Sequence, residues 1–90
     1  MSKNYSIGET ACREYLISGN KATNLEASIL FGVGLLSRLI SRMRAEGYVV
    51  KSQSCTYAAV IVRVNQFAQL IPPANLPVRE IAFTEYWISR

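Results

Sequence analysis

Arg38, Arg42 and Arg44 fall within seven residues of one another, in a 90-residue chain that holds ten Lys and Arg, six Asp and Glu, and no histidine. An arginine presents a planar fork of donors that fits the O6 and N7 edge of guanine or the oxygens of a phosphate. Three of them on one helix therefore suit an anionic polymer, and the net charge of +4 points the same way. An ordinary solvated helix face carries the same residue types, so position has to separate the two readings.

Other chemistry finds little support. Cys12 and Cys55 lie far apart with no evident base, no carboxylates pair at a readable spacing, and Gly32-Val33-Gly34 reads as a turn between helices, not a phosphate loop. No enzyme activity, metal or cofactor is expected, and the two thiols are expected to be reduced. The N-terminus lacks the apolar run of a secretion signal and the apolar stretches are far shorter than a membrane span, so a cytoplasmic protein with no membrane partner is expected.

The elements that must position the arginines follow from periodicity and punctuation. Ser6-Ile7-Gly8-Glu9 reads as a capping box, and Ala11, Cys12, Tyr15 and Leu16 recur at helical spacing, which predicts a helix from about Ile7 to Ser18 ended by Gly19-Asn20. Thr23-Asn24-Leu25-Glu26 is a second capping box, opening a short helix that stops at Gly32-Val33-Gly34. From Leu35 to Glu46, Leu36, Leu39, Ile40 and Met43 make one apolar stripe, with Arg38, Ser41, Arg42 and Ala45 opposite and Gly47 closing the helix. The period then changes. Tyr48–Lys51 and Thr56–Val64 are rich in β-branched and aromatic residues around a polar Ser52-Gln53-Ser54, which predicts a β-hairpin with Ala58, Val60, Val62 and Val64 on one face of its second strand.

Pro72, Pro73 and Pro77 mark a connector. Val78–Ser89 suits a helix through Val78, Ile81, Ala82 and Tyr86 and a strand through Ile81, Phe83 and Trp87, the strand slightly better. The expected fold is α+β: a winged helix-turn-helix of three short helices and a hairpin wing over residues 1–66, then a connector and aromatic segment over 67–90. That segment is expected to pack on the domain or on a dimer partner.

The run Thr23–Gly32, then Leu36, Arg38-Leu39-Ile40, Met43-Arg44 and Gly47-Tyr48-Val49-Val50, resembles the small winged helix-turn-helix DNA-binding proteins of phages, prophages and other bacterial mobile elements. The resemblance covers about Ala11 to Lys51 and implies that the segment matching Leu35–Arg44 is the DNA-reading helix. Gly34 and Leu35 depart from it, standing where polar residues often occur. The expected function is sequence-specific binding of double-stranded DNA, with a role in transcription regulation or as a recombination accessory factor.

Arg38 is then the candidate for base contact and Leu35 lies beside it on the reading helix, with Ser37 and Ser41 for base or phosphate and Arg42 and Arg44 for phosphate. Lys51, Ser52 and Gln53 at the wing, and Thr23 at the start of the second helix, complete the expected contact set. The rival expectation is a winged helix that binds protein, such as a mobile-element inhibitor, favoured by apolar Leu35 on the reading helix and by Phe83, Tyr86 and Trp87 as the partner surface; in the simplest reading those aromatics are core or homodimer contacts.

Overall fold

The computed structural model describes residues 5–89. Four helices and three strands follow one another as α1 (Ile7–Ile17), β1 (Ala22–Thr23), α2 (Asn24–Phe31), α3 (Leu36–Ala45), β2 (Val50–Thr56), α4 (Tyr57–Val64) and β3 (Ala82–Ile88). The fold is α+β, with one antiparallel sheet in the order β1-β3-β2.

Both capping boxes form. Ser6 Oγ accepts the Glu9 amide at 3.0 Å and Glu9 Oε1 accepts the Ser6 amide at 3.0 Å, so two donors of the first turn of α1 are satisfied. Thr23 and Glu26 repeat this at α2, where both side chains are fully buried. The helix ends at Gly32, whose φ of 68° is a left-handed cap that a Cβ would strain. Gly8 is required for another reason. A Cβ there would collide with the Phe31 carbonyl, so only glycine lets the start of α1 lie against the end of α2. That approach sets Tyr5 and Glu9 beside α3.

The core is the apolar stripe of α3 closed from three sides. Leu36, Leu39, Ile40 and Met43 pack with Cys12 and Leu16 of α1, Ala27 of α2, Ala22 of β1 and Val50 of β2, all buried. Cys12 and Cys55 are unpaired, and burial pushes the Cys12 thiol up to about 11. Among the described residues no single helix is long and apolar enough to cross a membrane.

The region after β2 departs from expectation. Residues 57–64 are helix, not the second strand of a hairpin, and the partner of β2 is β3, in register from Val50↔Ile88 to Thr56↔Ala82. Ser52-Gln53-Ser54 is accordingly strand and not a turn. Tyr57–Val64 has strong local β preference, yet the helical period prevails because it buries Val60 and Val64 one turn apart while Val62 stays 66% exposed. The Thr56 hydroxyl caps this helix by accepting the Ala59 amide. The amides of Tyr57 and Ala58 then donate to the carbonyls of Ile81 and Val78, which closes the base of the 25-residue excursion between β2 and β3.

Of the two readings of the C-terminal segment, the strand is the one formed. It is the central strand of the sheet, so its aromatics are engaged: Phe83 meets Tyr57 edge-on at 5.3 Å, Lys21 lies 5.0 Å over Trp87, and Tyr86 packs on the core.

Candidate nucleic-acid interface

With Leu36, Leu39, Ile40 and Met43 turned inward, helical geometry brings Arg38, Ser41 and Ala45 to the opposite ridge of α3, and all three are exposed. Ser37 and Arg44 flank the ridge on one side and Arg42 flanks it on the other. The three arginines differ in what holds them. Arg42 is half-buried, its guanidinium stacked 3.9 Å over the Tyr5 ring and Nη1 3.7 Å from Glu9 Oε2. Arg44 donates from Nη2 and Nε to the Val50 carbonyl at 2.7 and 3.3 Å, tying the helix to the start of β2 and meeting no carboxylate among the described residues. The Arg38 side chain makes no hydrogen bond or ion pair among the described residues.

The acid at the end of α3 does not offset this charge. Glu46 is held by Arg13 Nη2 at 2.9 Å and by the Tyr5 hydroxyl at 2.6 Å, with the Arg13 guanidinium between the rings of Tyr5 and Tyr48. Burial and then the Glu46 carboxylate raise the Tyr5 hydroxyl, keeping it protonated as the donor. One internal pair therefore absorbs the acid, and the outer ridge stays cationic.

Beside the first turn of α3 runs a groove of about 370 Å³, lined by Leu35, Ser37, Asn24, Thr84 and Tyr86 among others. Alternation along the strands puts Val50, Ser52 and Ser54 on the same sheet face as Tyr86 and Thr84, toward α3. Lys51 and Gln53 point to the other face. The expected contact residues thus divide. Leu35, Ser37, Arg38, Ser41, Arg42, Arg44 and Ser52 come together on one side of the molecule. Lys51 is exposed but opens on the opposite sheet face.

Two expectations are corrected. Thr23 is fully buried, its hydroxyl committed to the Glu26 amide and carboxylate, so it offers no surface to a phosphate. Gln53 is exposed, but it lies on the sheet face away from α3 and its side-chain amide donates to Glu85. No protein-family model, curated protein or solved structure matches the chain.

Sequence reasoning missed three residues that hold this arrangement: Asn24, Arg63 and Glu85. Asn24 Oδ1 accepts the Leu36 amide at 2.7 Å and so caps α3 from the neighbouring helix. Arg63 of α4 reaches Glu26 at 2.6 Å through Nη2 and Glu85 at 2.7 Å through Nη1, joining α2, α4 and β3. Burial works against the charges of Arg63 and Glu85, but their bonds outweigh it: Arg63 is held above its ordinary range and Glu85, accepting also from Gln53, below its own. A signal does exist, since Arg63 is the only charged residue between Lys51 and Arg79 and a solitary charge in an apolar run has to find a buried partner.

Proposed function

We propose that the chain binds duplex DNA as a winged helix-turn-helix protein, with α3 in the major groove and the β2–β3 ribbon as the wing. The observation that carries this reading is the outer ridge of α3, where Arg38 stands exposed without a carboxylate partner among the described residues, between Arg42 and Arg44 and with Glu46 taken up by Arg13. The ten residues of α3 span about 15 Å at 1.5 Å per residue, a length suited to a groove about 12 Å wide. The succession of three helices before β2 and β3, with β1 between α1 and α2 pairing on β3, further supports the reading.

Arg38 and Ser41 read base edges, Arg42, Arg44 and Ser37 hold phosphates, and Ser52 and Ser54 approach the flanking backbone. The resemblance over Ala11–Lys51 supports a role as a phage or mobile-element transcription regulator or recombination accessory factor. No catalytic role is proposed.

Two copies acting together would supply the specificity that one short helix lacks. A chain of charge +4 pairs with itself best across a face without charge. Residues 56–78 hold one charged residue, Arg63, which is turned inward, so the surface around Val62, Phe67 and Ile71 is where we place the second copy. That same exposed apolar surface favours the rival reading, a module that binds another protein.

A salt titration on a random-sequence duplex separates the readings. Displacement of condensed counterions makes log K fall linearly with log salt, by about 0.9 for each phosphate neutralised. A steep linear fall is expected; no salt-dependent binding overturns the DNA reading.

A further inference from the structure

We infer that Leu35 and Arg38 together read a guanine next to a 5-methylpyrimidine, an inference that rests on the DNA-binding reading above. Position 35 is the N-cap of α3, where a short polar side chain normally caps, yet Leu35 makes no cap bond. Capping falls instead to α2, whose Asn24 accepts the Leu36 amide. Nor does Leu35 serve the core: it is 58% exposed, whereas Leu36 beside it is fully buried. Folding therefore accounts for neither its type nor its exposure. It stands between two grooves, one shared with Ser6, Glu9 and Arg38 and the other with Ser37, Thr84 and Tyr86, at the end of the ridge that Arg38 begins.

The spacing decides what such a side chain would meet. Leu35, in extended conformation, is the N-cap and Arg38 the third residue of the helix it opens, and at about 1.5 Å per residue the two positions are separated by about 4.5 Å along the axis. Stacked base pairs are about 3.4 Å apart. A guanidinium paired with O6 and N7 of a guanine therefore leaves the isobutyl group of Leu35 against the edge of the neighbouring pair. Most groups on those edges are donors or acceptors, which leucine cannot satisfy and which lose their water at a cost beside it. The apolar exception is the C5-methyl of thymine, and a C5-methylated cytosine presents the same group at the same place. The shared chemistry is a methyl at pyrimidine C5, from either source.

The test begins with selection from a random duplex pool by the full chain. The selected site is then remade in four forms at the position next to the essential guanine: thymine, uracil, cytosine and 5-methylcytosine. Thymine against uracil, and 5-methylcytosine against cytosine, each change one methyl and no hydrogen-bonding group. Burying one methyl predicts about fourfold tighter binding within both pairs, and the tighter-binding pair identifies the source. Leu35→Ala is expected to erase both differences while still binding, and Leu35→Met to keep them; a urea melt verifies that each variant is folded.

Equal binding within both pairs overturns this inference and leaves the DNA reading intact. A methyl preference that survives in Leu35→Ala overturns the assignment to Leu35. Failure to select any sequence, with no salt-dependent binding to the pool, overturns the DNA reading and this inference with it.

Discussion

Two sets of arginines in this small chain meet opposite fates. Arg63 is wrapped between Glu26 and Glu85, at 2.6 and 2.7 Å, in a centre where both carboxylates are buried. Arg38 stands on an open helix ridge with no carboxylate partner among the described residues, while its neighbours are only loosely held, Arg42 by the Tyr5 ring and by Glu9 at 3.7 Å and Arg44 by the Val50 carbonyl. Residue type is the same in both places. The difference lies in which acids the fold brings near: Glu26 and Glu85 are delivered to Arg63, and Glu46 is diverted to Arg13, away from the α3 ridge. The first arrangement holds the molecule together, and the second leaves charge available for a partner.

Removal of Arg63 should have the largest effect. Arg63→Ala leaves Glu26 buried without its cation and Glu85 with only Lys21 at 3.9 Å, and is expected to destabilise the fold by about 3–5 kcal/mol, read from urea unfolding. Arg38→Ala is expected to leave stability within about 0.5 kcal/mol while costing about 1–3 kcal/mol of discrimination between the preferred duplex and one altered at the guanine. If the two substitutions behaved alike in unfolding, the division between a structural and an available arginine would fail.

Smaller effects sharpen it. Asn24→Ala removes the cap that α2 lends to α3 and is expected to cost about 1 kcal/mol of stability, seen as a lowered urea midpoint with unchanged slope. Acid should act on the Arg63 centre. Glu85 titrates below its ordinary value in the folded chain, so its contribution to stability is present above the ordinary carboxylate range and is lost as pH falls through that range toward the depressed value. Glu85→Gln is expected to flatten that part of the pH–stability curve. Arg42→Ala should reduce the salt slope of duplex binding by about one, with little change in sequence preference.

Much of the fold is legible in the sequence. Ser6-Ile7-Gly8-Glu9 and Thr23-Asn24-Leu25-Glu26 announce α1 and α2 because a capping box is a local device whose four residues suffice to recognise it. The stripe of α3 is equally plain, and with it the outward placement of Arg38 and Ser41. Residues 57–64 mislead because Val60, Ile61, Val62 and Val64 favour a strand locally, whereas the helix is held by contacts from outside the segment: the packing that buries Val60 and Val64 and the distant Glu26 and Glu85 that receive Arg63. The strand that completes the pair with β2 then lies 25 residues further on, beyond the reach of hairpin logic.

For the interface the same rule holds. Arg38 is readable from its own helix, whereas the burial of Thr23 and the engagement of Gln53 depend on residues far along the chain. Glu26 shows both levels at once: its place in a capping box is evident from its neighbours, and its second role as an acceptor for Arg63 is invisible without α4.

On the DNA-binding reading the partner meets the α3 ridge. Backbone amide chemical shifts of the labelled chain, followed while a selected duplex is added, test it most directly. Shifts concentrated in residues 35–45 together with Ser52 and Ser54 are the predicted result. Shifts confined to 57–71, with α3 unmoved, would contradict it.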